Sequence, residues 1–273
     1  MAEILCSVGA FISKPNGRNY RKLQELSKQL HCDGFEFMME KPWYDEIRDL
    51  TACLKDIQLY MPVMHCEKSI GEKISLGGNE NLSEVRRLFE INCKIAEVIH
   101  AKKMVIHLWG GRTSDRYFEN NIATYAVLKE QAEYYGLELL VENVVCNQQD
   151  PLTHMCELAY IYPEIGFVID TKMAAFHGQT EKIYEPEYSW LWREGHVRHY
   201  HVNDYAGGHM DWPNLTTLVM GDGKIDFQNF FRLVKETGFD GTFTTEASAY
   251  FEGGNVNVEK LNGQFRKIRE YLS

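Results

Sequence analysis

Seven short apolar runs in this 273-residue chain end in a residue that can hold a metal ion or move a proton. They are FEF with Glu36, PVMH with His65, VIHLW with His107, LLVEN with Glu142, FVIDT with Asp170, YHVND with His201 and TTEAS with Glu246. Successive members lie 28 to 45 residues apart, which is room for one strand, one helix and their loops. A single charged residue at a strand end is ordinarily the start of a solvated loop. Repetition changes the reading, because in a parallel barrel all such ends emerge on the one face where the loops after the strands build an active site.

Glu142 and Asp170 carry the most weight. LELLVE and IGFVID place a carboxylate at the tip of an otherwise apolar segment, and a carboxylate buried without a partner is strongly unfavourable. A cation resolves it. With His201 and Glu246 the set becomes two Glu, one Asp and one His, an oxygen-rich shell suited to one divalent metal ion: Mn²⁺, Mg²⁺ or Co²⁺, with Zn²⁺ also admissible.

The elements that must position these residues alternate along the chain. Predicted strands are Ile4-Ser7, Gly34-Phe37, Tyr60-His65, Lys103-Leu108, Leu137-Glu142, Gly166-Asp170, His199-His201 and Thr242-Glu246. Between them the three- and four-residue spacing of apolar positions predicts helices over Tyr20-Leu30, Pro42-Ile57, Leu82-Ala101, Asp115-Tyr135, Leu152-Tyr160, Asp226-Thr237 and Val258-Leu272. Gly136 supplies a C-terminal stop for the fourth helix. An open doubly wound sheet would declare itself by a Gly-rich turn after the first strand, but VGAFISKPNGRN has no GxGxxG. The expected fold is therefore α/β, a (β/α)8 TIM barrel formed as a single domain over residues 1–273. The stretch 204–223, with Gly207, Gly208, Gly221 and Gly223, is long enough to act as a lid.

Composition narrows the function. Twenty-nine Lys and Arg against 39 Asp and Glu give a formal net charge of −10, opposite to what phosphate backbones or anionic lipid attract. Nucleic-acid and membrane partners are not expected. The seven cysteines form no CxxC pair and fit a reduced cytoplasmic protein. MAEILCSVGAF has no basic stretch and reads as a strand rather than a leader.

The order Glu142 in VEN, Asp170 in IDT, His201 in HVND and Glu246 in TEAS, with GDGKIDF between the last two, resembles the xylose isomerase-like TIM-barrel superfamily. Its members include ketose 3-epimerases, hydroxypyruvate isomerase, inosose dehydratase and endonuclease IV. The resemblance implies a sugar or sugar-phosphate isomerase or epimerase of small carbohydrates. Glu142 and Glu246 would then be catalytic, moving a proton through an enediolate from opposite sides of the substrate, and Glu142, Asp170, His201 and Glu246 would hold the ion. Dehydration of a cyclic polyol is the alternative on the same barrel. The DNA-repair branch needs further histidines where this chain has Met173 and Asp211-Trp212-Pro213, which argues against it.

Smaller roles go to the remaining tips. His65 and His107 are expected to bind substrate or a second metal, Glu36 to bind substrate or to brace a ligand from behind, and Trp109 to pack on the apolar face of a sugar. Lys172, beside the metal strand, offers a contact for an anionic substrate or a solvated charge. Exposed aromatic loops are compatible with a homodimer.

Overall fold

Runs of four or five apolar and β-branched residues between turn residues form strands. The computed structural model describes residues 2–273. Among them lie β1 (Glu3–Ser7), β2 (Gly34–Met38), β3 (Val63–His65), β4 (Lys103–Ile106), β5 (Glu138–Glu142), β6 (Gly166–Asp170), β7 (Val197–His201) and β8 (Thr242–Thr245). They follow one another in chain order and close into a single parallel barrel with alternating helices, the expected (β/α)8 architecture. β3 begins three residues later than predicted. Pro62 has no N–H to give a ladder, and its carbonyl instead accepts from the backbone N–H groups of Lys102 and Lys103 at 2.9 and 3.2 Å. β4 and β8 also stop early, so His107 and Glu246 stand one residue beyond their strands.

The chain packs as two compact units, Met1–Glu36 with Ile169–Ser273, and Phe37–Val168. In the first, β1 pairs with both β2 and β8, setting Ser7 opposite Glu36 and Cys6 opposite Thr245, while β7 sets His201 opposite Thr244. Side chains alternate across a strand. Tyr200 accordingly packs among Phe230, Phe239 and Phe243, while its neighbours His199 and His201 meet Glu36. Helices Phe227–Glu236 and Val258–Leu272 bury Phe230, Phe231, Val234, Leu261, Phe265 and Ile268, each worth roughly 1.5–3 kcal/mol of apolar burial. Asp226 and Asn257 cap them. After β6, where no helix is expected, the short helices Thr171–Phe176 and Trp190–Arg193 stand.

The predicted lid is tied down at its base. The Asp204 carboxylate accepts from the backbone N–H groups of Tyr205, Gly221, Gly223 and Ile225 at 2.8 to 3.1 Å. A Cβ at Gly223 would fall 2.3 Å from Asp204 Oδ1, so the turn requires glycine.

In the second unit β3, β4 and β5 pair in register, with His65 opposite Val105 and Ile106 opposite Val141. The long helix runs over Asn79–Val98, three residues ahead of its predicted start and end. Gly77 and Gly78 turn the chain into it with φ of 63° and 80°, and His100 leaves it at φ 59°. An unpredicted helix, Ser69–Leu76, precedes it. The next helix begins at Phe118 rather than Asp115, because the Asp115 side chain is spent on a loop: it accepts from the backbone N–H groups of Asn147, Gln148 and Gln149.

Candidate metal centre

Each unit gathers a buried cluster at its strand ends. In the first, Asp170, His201 and Glu246 offer ligand atoms within 4.8 Å of one another, all buried. Asp170 ends β6 and caps the helix that follows, its Oδ1 accepting from the N–H groups of Lys172 and Met173 at 2.7 and 3.1 Å. Asn203 braces both carboxylates: its Nδ2 donates to Asp170 Oδ2 at 2.8 Å and Glu246 Oε2 at 3.1 Å, and its Oδ1 accepts from Glu246 N.

His201 is oriented from behind. Its Nε2 donates to the Glu36 carboxylate at 3.2 Å, so that in its neutral form the ring would present the Nδ1 lone pair toward Glu246 Oε2, which stands 3.6 Å away. His199 Nε2 and Thr244 Oγ1 donate to the same Glu36 oxygen, each at 2.9 Å. Burial alone would push the Glu36 carboxyl up, but the charge and hydrogen bonds of His201 and His199 hold it well below the usual range. Glu36 therefore stays ionised and fixes the tautomer of its partners, the part a supporting carboxylate plays behind a metal-binding imidazole.

In the second unit, His65, His107 and Glu142 bring ligand atoms within 4.8 Å of one another, again all buried. His65 Nδ1 lies 2.7 Å from the Cys66 carbonyl, which can only accept, so Nδ1 carries the proton. Its Nε2 then stands 3.2 Å from Glu142 Oε2, and His107 Nε2 stands 2.6 Å from the same oxygen. An imidazole nitrogen and a carboxylate oxygen stand at such range with a proton or a cation between them. Burial pushes the His107 imidazole down to about 4, against the pull of Glu142, and a neutral imidazole is the form that binds metal. The chemistry of both donor sets fits a divalent cation.

Within the first unit Asp170, His201 and Glu246 come together, and within the second Glu142 comes together with His65 and His107. Glu36 stands behind His199 and His201, the bracing role of the two expected for it. Trp109 departs from expectation: it is fully buried, its indole N–H donates to the Val144 carbonyl at 2.9 Å, and its ring packs edge-on to Phe118 and His154. Sequence reasoning passed over His199, Asn203 and Thr244. The alternation in HYH, with Tyr200 apolar-facing, was the available signal for His199.

Solved structures share this fold. The IOLI protein with a binding zinc atom superposes with a TM-score of 0.74 at 16% identity, over 99% of this chain and 98% of its own. A D-tagatose 3-epimerase-like protein gives 0.70 at 19% identity, over 99% and 97%. D-allulose 3-epimerase from Methylomonas sp. in complex with D-allulose gives 0.69 at 12% identity, over 99% and 97%. At these identities the likeness is one of fold. No curated protein sequence matches the chain. Residues 25–266 match the family model of the xylose isomerase-like TIM barrel, and the chain belongs to that family.

Proposed function

We propose that this protein is a divalent-metal-dependent sugar isomerase or epimerase, with Glu142, Asp170, His201 and Glu246 as the ligands and Glu142 and Glu246 as the catalytic acid and base. The observation that carries the reading is the His201 ring, held by Glu36 on one nitrogen and turning the other toward Glu246. A bound divalent ion would supply a Lewis acid for a substrate carbonyl, lowering the barrier to losing the neighbouring C–H proton by several kcal/mol. One glutamate takes that proton from carbon and the other returns one, which is general acid–base work whose rate depends on carboxyl pKa values set by burial. Asn203 holds Glu246 Oε2 in place for this. The barrel, its fold neighbours among the epimerases and its buried His and Glu clusters support the reading.

The barrel over residues 1–273 would act as one domain, and seven cysteines without a CxxC pair suit a cytoplasmic home. Among the described residues no helix is long and apolar enough to cross a membrane.

Metal analysis by mass spectrometry is expected to find a tightly held divalent ion. A screen of ketoses in deuterated buffer should then reveal exchange of a carbon-bound proton, abolished in Glu142→Gln and Glu246→Gln. Exchange retained in both variants would defeat the two-glutamate mechanism, and a product lighter by one water would favour dehydration instead.

A further inference from the structure

Lys172 is the second residue of the helix Thr171–Phe176, two positions after Asp170, and it is only 6% exposed. Its ammonium donates to Thr217 Oγ1 at 2.9 Å, and among the described residues that neutral hydroxyl is its one partner. An ammonium has three donors and no acceptor, and burying its charge without a counter-charge is unfavourable. No carboxylate of the described residues answers it.

Position gives this charge a meaning. The helix leaves the C-terminal end of β6, which finishes in Asp170, and Thr217 lies on the loop leaving the C-terminal end of β7, which finishes in His201. Lys172 therefore bridges the two segments that follow the Asp170 and His201 strand ends. A loop tie alone does not account for it, because the same loop is already fastened to the same helix: Met210 N donates to the Phe176 carbonyl at 2.9 Å, and Trp212 packs edge-on to Phe176 at 4.8 Å. A chain of net charge −10 repels anions at long range, so an anionic substrate needs a cation set locally.

We infer that Lys172 is the anion-recognition residue of the site, and that the carbohydrate it serves carries a phosphate or carboxylate group. This rests on the isomerase or epimerase reading above and names its substrate class. Two of the three ammonium donors are left for the anionic oxygens.

The test uses the Mn²⁺-loaded protein and calorimetric binding of a ketopentose, its 5-phosphate, a ketouronate and inorganic phosphate. One of the two anionic sugars should bind at least about tenfold more tightly than the neutral one, as a charge-assisted contact predicts, and which of them does so identifies the group. Lys172→Met should bring that ratio close to unity, and Lys172→Arg should keep most of it. Should Lys172→Met fail to fold, the same preference must weaken in the natural protein as salt is raised, while neutral-sugar binding holds. Equal affinity for neutral and anionic sugars, or a preference that survives Lys172→Met, overturns the inference. Proton exchange on neutral ketoses without any anion preference sinks the anion site alone. Lys172-dependent binding of inorganic phosphate with no exchange on any sugar sinks the isomerase reading and leaves the anion site standing.

Discussion

Glu36 Oε2 receives the Nε2 protons of two histidines on one strand, His199 at 2.9 Å and His201 at 3.2 Å. The carboxylate thereby sets the tautomer of a metal-competent imidazole from the side away from Glu246. Glu36→Gln keeps the volume but loses the charge and halves the acceptors. Supporting carboxylates of this kind are worth about 10–100-fold in metal affinity, so Mn²⁺ titration by calorimetry should show a loss of that size while circular dichroism keeps the barrel signal. Unchanged affinity would remove Glu36 from the centre.

Asn203 touches Asp170 Oδ2 and Glu246 Oε2 at 2.8 and 3.1 Å, one neutral amide between two carboxylates. Asn203→Asp puts a third negative charge between them in a buried place. Without metal, the variant should lose about 2–4 kcal/mol of stability. A divalent ion relieves the repulsion, so the gain in melting temperature on adding Mn²⁺ should exceed that of the natural protein. A gain no larger in the variant would mean that the ion does not bind at these carboxylates.

The strand ends were legible because each is a short apolar run broken by a residue that does not belong there. Glu142 and Asp170 stood out on this ground alone. His199 did not, since it sits inside its strand two residues before His201, and a buried polar residue in mid-strand has no flanking signal. Asn203 was invisible for a different reason: amides are common in loops, and only the positions of Asp170 and Glu246 reveal what this one does. Helix Ser69–Leu76 was missed because Gly71 interrupts a short apolar pattern, and glycine lowers helix propensity. Trp109 was misread because the spacing that puts a ring near the strand ends cannot tell which way the ring turns.

That same glycine yields a sharp test of packing. In an exposed helix, Gly→Ala would add up to about 1 kcal/mol of stability. At Gly71 the new Cβ would stand 2.5 Å from the His107 carbonyl oxygen and 2.8 Å from that of Trp109, both backbone atoms that follow β4. Relief requires moving the helix or the His107 loop, at a cost of about 2 kcal/mol or more. Urea unfolding of Gly71→Ala should therefore show a lower midpoint, and an increase would mean that the helix does not approach the strand end so closely.

Asp115 predicts a pH dependence. Burial raises its carboxyl pKa, but hydrogen bonds from His154 Nε2 and from the N–H groups of Gln149, Asn147 and Gln148 outweigh this and bring it from 3.8 to about 2. The unfolded chain then binds the proton more readily than the folded one. Stabilisation by Asp115 is fully present above the unfolded value and is lost as pH falls from about 4 toward 2. Asp115→Asn keeps the shape while replacing charge-assisted bonds with weaker ones and turning an amide N–H toward a donor, a loss of about 2 kcal/mol. Denaturant unfolding of the two proteins should differ by that amount at neutral pH and converge as pH approaches 2. A difference independent of pH would show that the loop over residues 147–149 is held by shape and not by the carboxylate's charge.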